Sequence, residues 1–260
     1  MQKEASGFTT LEKVKNYVAT IQWEKRLKKE VPFLTKLFQK HNYTKILDLG
    51  SGPGFHAKEL AKNGFIVKGL DINENMIQYA KENYTDPNLS ISFETGDFLN
   101  DDNALSGKWD AIFSLGNAIM IIWSQENVDT QEMFNRLGKA ITNNGAIFFQ
   151  ILNSDNPRKG YVVSKIAKSQ DKNTNQILIK HFIPVGNKLY TNFMTLKWKD
   201  SDQEVTKEEN EPGFLKLIPL EELKGYLSKA GFNKFEFFDN YDGTLLDTKT
   251  SDSLLCFAQK

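Results

Sequence analysis

Cysteine is almost missing from this chain of 260 residues, and the single one, Cys256, excludes an internal disulfide and any cysteine-cluster metal site. It lies in a terminal apolar run, Leu254 to Ala258, which suits a buried small side chain better than a nucleophile. Net charge is missing as well. Lysine plus arginine number 33 and aspartate plus glutamate number 33, so no overall field draws in nucleic acid or an anionic membrane. Long apolar runs do not occur either. The longest, Ala118 to Trp123, has six residues, far short of a membrane span. Met1 to Thr10 is polar and lacks the apolar core of a signal peptide, so a soluble, cytoplasmic protein is the expectation. Internal repeats and low-complexity tracts are absent.

What is present is organised around Lys45-Ile46-Leu47-Asp48-Leu49-Gly50-Ser51-Gly52-Pro53-Gly54-Phe55-His56. Ile46 to Leu49 suits a strand buried on both faces, and Phe55 to Lys62 resumes with helical spacing. Between them three glycines stand at alternate positions. Strand, tight glycine turn and helix is the order by which an α/β domain brings its backbone close to a nucleotide-like ligand. A Cβ there would block both the positive-φ turn and the approach of that ligand.

Ahead of this stretch, Leu11 to Gln39 reads as helix, with Trp23, Leu27, Val31 and Leu34 at three- and four-residue spacing. Pro32 is expected to start a second helix. Tyr17, Trp23 and Arg26 are candidates for a lid over the glycine loop, or for packing of the helix on the domain. Behind it, Phe65 to Ile72 is a second strand ending in Asp71, about twenty positions beyond the glycine turn. A carboxylate there can accept both hydroxyl hydrogens of a ribose. The alternative, that Asp71 caps the next helix, is weaker because Asn73 can do so itself.

Glu74 to Tyr84 is helical, Ser90 to Glu94 is a strand, and Gly96-Asp97-Phe98 follows, offering an acceptor for an exocyclic amine and an apolar face for a base. Trp109 to Leu115 is the fourth strand, running into Gly116-Asn117. Gln125 to Ala140 is helical, Asn143-Asn144-Gly145 a turn, and Ala146 to Leu152 the fifth strand. This alternation predicts a doubly wound, mostly parallel sheet with ligands at the carboxyl ends of its strands. The rhythm then changes. Gln176 to Ile183 and Lys188 to Trp198 flank Pro184-Val185-Gly186-Asn187, a hairpin signal. Asp200 to Asn210 reads as a solvated connection and Gly213 to Ile218 as a third strand. A helix, Leu220 to Ala230, and two closing strands, Asn233 to Asp239 and Leu254 to Ala258, complete the chain. Residues 161–218 are thus expected to be a β-rich insertion covering substrate, and 1–160 with 219–260 the main domain.

The order of these motifs resembles the class I S-adenosylmethionine-dependent methyltransferases, whose pattern is Asp-x-Gly-x-Gly-x-Gly, an acidic residue ending the second strand, and an aspartate after the third. The resemblance implies a seven-stranded Rossmann-like sheet, S-adenosylmethionine as cofactor and S-adenosylhomocysteine as product. Within that superfamily the chain is similar to small-molecule N-methyltransferases of the glycine/sarcosine type. The similar features are Trp23-Glu-Lys-Arg26, Leu115-Gly116-Asn117, Gln150 to Asn153, and Tyr241-Asp242-Gly243. It implies Tyr17, Trp23, Arg26, Asp48, Gly50, Gly52, Gly54, Asp71, Ile72, Met76, Gly96, Asp97, Phe98, Leu115 and Gly116 as cofactor-binding. Arg26 would pair the cofactor's carboxylate, Asp71 the ribose, Asp97 and Phe98 the adenine, and the Leu115 carbonyl the amino group. Asn117 would face the acceptor.

One departure matters. Where the glycine-accepting enzymes carry an arginine for the substrate carboxylate, this chain has Leu152, and the nearest arginine, Arg158, lies beyond Pro157. Leucine cannot supply a cationic fork, so an acceptor other than glycine is expected. His181, Tyr190, Trp198 and Tyr241 are candidate linings of a more apolar, aromatic pocket. His181 or Tyr241 could accept a proton from an amine, or simply be packed side chains; His56 reads as structural. A dinucleotide enzyme would place its third glycine one residue later. A nucleic-acid or protein-glutamine methyltransferase would carry an Asn/Asp-Pro-Pro-aromatic motif. The expectation is transfer to a small molecule, at an amine nitrogen, by a monomer or homodimer without metal. An oxygen acceptor or a silent cofactor-binding protein on the same fold is the alternative.

Overall fold

The computed structural model describes residues 8–101, 103–156, 160–168, 174–199, 201, 204–209 and 212–260. Over these, the chain divides into two units: Met1–Trp23 with Arg158–Leu217, and Glu24–Pro157 with Ile218–Lys260.

The larger unit carries a seven-stranded sheet. Five strands come first, β1 (Lys45–Leu49), β2 (Ile66–Asp71), β3 (Ile91–Thr95), β4 (Trp109–Ser114) and β5 (Ile141–Leu152); β11 (Lys234–Phe238) and β12 (Ser253–Gln259) close it. The spatial order is β11-β12-β5-β4-β1-β2-β3, parallel from β5 to β3, with β12 antiparallel to both β5 and β11. The chain order reverses between β1 and β4, the switch point at which α/β sheets open a crevice.

Helices cover both faces because successive strand residues point to opposite sides. Phe148 joins the core built by α2 (Trp23–Lys40), α3 (Phe55–Lys62) and α4 (Glu74–Tyr84), with Val31, Leu34, Phe38, Ala57, Leu60 and Ile77. Phe149, its neighbour, packs 6.2 Å from Phe134 of α6 (Thr130–Ala140), which stacks on Tyr226 of α7 (Leu220–Lys229).

Three elements of this unit differ from the sequence expectation. Pro32 lies inside α2 and does not begin a helix. It is exposed, as is Lys28 one turn earlier, so the carbonyl that loses its partner faces water while the buried stripe holds the helix together. Asn143 to Gly145 lies within β5, where Trp109 pairs Ile141 but Ala111 pairs Ala146, so the extra residues form a bulge instead of a turn. Gln125 to Ala140 is not one helix: α5 (Ala118–Trp123) precedes it, and α6 starts after Asp129, whose carboxylate caps the N–H groups of Gln131 and Glu132.

The smaller unit is an antiparallel sheet, β10-β8-β7-β6, with β9 also paired to β8. Its strands are β6 (Tyr161–Lys168), β7 (Thr174–Val185), β8 (Lys188–Lys199), β9 (Thr206–Glu209) and β10 (Gly213–Lys216). Gly186 and Asn187 form the two-residue hairpin turn between β7 and β8, with Gly186 at φ +59°. β9 stands where a solvated connection was expected; its polar and charged sequence, Thr-Lys-Glu-Glu, suits an exposed edge strand. α1 (Leu11–Thr20) belongs to this unit, and its Thr20 hydroxyl accepts a hydrogen bond from the buried Gln176 amide at 2.8 Å. Arg158 and Pro157 lie outside the described residues. No helix among the described residues is long and apolar enough to cross a membrane.

Candidate functional site

The carboxyl ends of β1, β2, β4 and β5 gather most of the expected site residues in the larger unit. The glycine loop leaves β1 with Gly50, Gly52 and Gly54 at φ +71°, +53° and +83°. Their surroundings differ sharply. A Cβ at Gly54 would lie 2.6 Å from the Phe93 ring and 2.9 Å from Ala80, and one at Gly50 would lie 2.8 Å from Ala118, so both are glycine because protein packs against them. A Cβ at Gly52 meets nothing within 4 Å. Gly52 is the loop's open side.

Asp71 closes β2 and holds that open side in place. One carboxylate oxygen accepts the Gly52 N–H at 2.8 Å and the other accepts the Asn73 N–H at 2.9 Å. Asn73 caps α4 by accepting the Met76 N–H, so capping is not left to Asp71. Burial raises the Asp71 pKa, against the backbone N–H groups of Asn73, Gly52 and Ile72, which lower it. Asp48, in β1, is more extreme. It is 3 % exposed, and its Oδ2 has no hydrogen-bond partner among the described residues. Burial first, and then the nearby Asp71 charge, push its carboxyl well above the ordinary range.

Beside the loop, Ile72 is 47 % exposed while Met76 is buried. Gly96 donates to the Asp71 carbonyl at 3.0 Å, which brings the β3 end alongside. Asp97 turns its carboxylate on its own segment, accepting from the Leu99 N–H and the Asn100 amide, and Phe98 is buried.

After β4 the backbone makes two left-handed residues in succession, Gly116 at φ +66° and Asn117 at φ +67°. Asparagine tolerates this better than other side chains. Gln150 of β5 clamps the turn: its side-chain oxygen accepts the Gly116 N–H at 3.0 Å and its backbone carbonyl accepts the Asn117 N–H at 3.2 Å. Its side-chain nitrogen sits 3.5 Å from the Asn117 side-chain oxygen. The Leu115 carbonyl accepts the Ala118 N–H. From sequence, Gln150 figures only within the run Gln150 to Asn153 and has no role of its own; the signal for one was a lone polar residue in the apolar run Ala146 to Leu152.

A second group missed by sequence reading is Glu30. Arg26 grips it from one helical turn away, Nε to Oε1 at 2.9 Å and Nη2 to Oε2 at 3.0 Å. His56 Nε2 meets the same Oε2. Burial opposes ionisation of Glu30, but hydrogen bonds from His56 and Arg26 overcome it and bring its pKa down to about 2. Burial lowers the His56 pKa, partly offset by Glu30. Arg26 Nη2 stands 3.9 Å from where a Cβ on Gly116 would be. Tyr241, between Phe33 and Phe148, has a buried hydroxyl with no hydrogen-bond partner among the described residues. Burial and the facing Glu30 charge push its pKa up strongly, so it stays protonated.

In the smaller unit the β7–β8 register puts His181, Tyr190 and Trp198 on one face of the sheet. Tyr17 lies on α1, 6.1 Å from the Trp23 ring in edge-on contact. Leu152 is buried at the end of β5, paired with Ser253.

Residues 46–145 match the family model described as "Methyltransferase domain". The chain is 28 % identical over 142 residues to the glycine/sarcosine N-methyltransferase of Parasynechococcus marenigrum, covering 54 % of this chain and 49 % of that protein. It is 29 % identical over 109 residues to the ubiquinone biosynthesis O-methyltransferase of Coxiella burnetii, covering 42 % of this chain and 43 % of that one. The chain thus spans about half the length of the curated relatives it matches. Its fold is that of CalS10, an amino pentose methyltransferase from Micromonospora echinaspora solved in its SAM-bound form. The TM-score is 0.71, at 15 % identity, over 99 % of this chain and 100 % of that one.

Proposed function

We propose, from the premise that this chain carries a class I S-adenosylmethionine-dependent methyltransferase domain, that it methylates a small molecule at an amine nitrogen. The observation that carries the reading is the open side of Gly52, anchored by Asp71 at the carboxyl ends of β1 and β2. Open space that a Cβ on Gly52 would enter, next to a half-buried carboxylate, fits a ribose and a thioether chain. Asp71 would hold the ribose and Gly50 to Gly54 the methionine backbone. Arg26 would hold the cofactor's carboxylate, the Leu115 carbonyl its amino group, and Asp97 and Phe98 its adenine. Tyr17 and Trp23 are proposed as further cofactor contacts.

When bound, the cofactor supplies an electrophilic methyl group on a sulfonium, whose in-line displacement disperses charge. The residues of this chain have correspondingly little acid–base work. They align, and alignment supplies up to ~7–11 kcal/mol in well-oriented systems. The clamped turn at Gly116-Asn117 gives Asn117 a fixed direction toward an acceptor. Tyr241, held protonated, serves as a hydrogen-bond donor better than as a base. His181 is the remaining proposed proton acceptor, with Tyr190 and Trp198 on the same sheet face as pocket linings. Leu152 offers no cation, which favours an acceptor without a carboxylate.

Nitrogen is favoured over oxygen by the likeness to glycine/sarcosine N-methyltransferases; the likeness to an O-methyltransferase favours the second reading, transfer to a hydroxyl. Calorimetry with S-adenosylhomocysteine tests the first step, and no heat at millimolar ligand overturns the cofactor assignment. Amines, amino acids and phenols are then compared for homocysteine-product release. Turnover confined to phenols replaces nitrogen with oxygen, and efficient turnover of glycine overturns the reading of Leu152.

A further inference from the structure

We propose that Glu30 and His56 are positioning residues that set the Arg26 guanidinium for the cofactor's carboxylate, an inference that rests on the assignment of Arg26 to that carboxylate. Glu30 is the starting point. It lies on a helix with exposed lysines at positions 25, 28, 29 and 36, where a glutamate could turn to water, yet its residue is 7 % exposed. A carboxylate is carried inside only when partners compensate its lost hydration. Glu30 has two, and they come from different elements.

Arg26 binds it through a two-point fork, which fixes the guanidinium plane as well as its position. His56 binds the oxygen that Arg26 Nη2 also uses. Because Glu30 is ionised, its oxygens accept only, so His56 must present Nε2–H and its tautomer is set. His56 stands two residues after Gly54, in the first turn of α3, and its side chain is 8 % exposed. The chain of contacts therefore starts at the helix that the glycine loop leads into, passes through Glu30, and ends at a guanidinium beside Gly116. It couples the cradle at Gly52 to the cation that would close over the other end of the same ligand. An exposed i,i+4 pair would need no third member; a buried pair held from the loop helix is suited to fixing geometry. Among the described residues, Asp48 interacts electrostatically with Arg26, and Tyr241 with both Glu30 and Arg26.

The test uses the whole chain and two ligands that differ in one part. S-adenosylhomocysteine carries the amino-acid carboxylate; 5′-methylthioadenosine keeps the nucleoside thioether and lacks it. Calorimetry is run on Arg26→Ala, Glu30→Gln, His56→Leu and His56→Gln. Arg26→Ala should weaken S-adenosylhomocysteine by about tenfold or more and leave methylthioadenosine within about twofold. Glu30→Gln and His56→Leu should reproduce that selectivity at about fivefold or more. His56→Gln, whose amide nitrogen reaches the place of Nε2, should restore affinity to within about twofold. Should Glu30→Gln fail to fold, the His56→Leu and His56→Gln pair decides. Equal weakening of both ligands by Glu30→Gln or His56→Leu makes the role merely structural and overturns the proposal, as does unchanged binding while Arg26→Ala remains selective. Should Arg26→Ala itself be unselective, the assignment of Arg26 falls, and the proposal with it.

Discussion

The carboxylate of Asp71 accepts the backbone N–H of Gly52 at 2.8 Å, so one side chain braces the glycine loop from the neighbouring strand. Asp71→Ala should therefore act twice. Loss of an acceptor for ligand hydroxyls should weaken S-adenosylhomocysteine by about 1–3 kcal/mol, and the unbraced loop N–H should lower folding stability by about 1 kcal/mol. Calorimetry and urea unfolding measure the two separately. Affinity loss without any stability change would detach Asp71 from the loop.

The glycines of the loop should part company on substitution. Gly54→Ala forces a methyl within 2.6 Å of the Phe93 ring and should cost about 2–4 kcal/mol of stability, from overpacking plus left-handed strain. Gly52→Ala meets open space and should cost only about 1–2 kcal/mol of strain, yet it should abolish cofactor affinity because the methyl occupies the ligand's side. Thermal melts beside calorimetry distinguish the two. Full affinity in folded Gly52→Ala would move the ligand elsewhere.

Acid should loosen the fold in two stages. The His56 pKa lies below its ordinary 6.5, so its contribution is whole above that pH and fades as pH falls beneath it. The Glu30 pKa is lowered from 4.5 to about 2, so its contribution is whole above 4.5 and fades toward 2. The His56 share should lower the urea midpoint between pH 7.5 and 5, and His56→Gln should remove that share. Equal pH slopes for His56→Gln and the parent protein over that range contradict the His56 assignment, and an undiminished loss below pH 4.5 in Glu30→Gln contradicts that of Glu30.

Asp48 carries the opposite sign. Its raised pKa means that its contribution is present below 3.8 and lost as pH rises, leaving a buried carboxylate that costs stability at neutral pH. Asp48→Asn should raise stability at pH 7 by about 1 kcal/mol, seen as a higher urea midpoint. A lower midpoint would mean that the ionised form is held by interactions stronger than its burial cost.

Much of this was legible beforehand because parallel strands buried on both faces leave nearly continuous apolar runs, as in Ile46 to Leu49 and Ala111 to Leu115, each broken by one polar residue, Asp48 and Ser114. The glycine loop and Asp71 were legible by spacing. Glu30 was not. On a helix dotted with lysines a glutamate looks solvated, and its partner His56 is 26 residues away, so only folding reveals the pair. Gln150 stood within a quoted motif, but its clamp on Gly116 and Asn117, 34 and 33 residues away, was not legible. Pro32 misled because local backbone preference yielded to tertiary packing on the opposite face of α2. β9 was invisible because an edge strand made only of polar and charged residues carries no hydrophobic period.

The lone cysteine has a practical consequence. Cys256 sits in β12, flanked by Phe149 of β5 and Phe237 of β11, wholly buried and with its thiol pKa pushed up by that burial. A thiol reagent cannot reach it while the three strands stay together. The rate at which a maleimide labels this protein should then time the parting of its central sheet, and a ligand that binds the folded form should slow that clock.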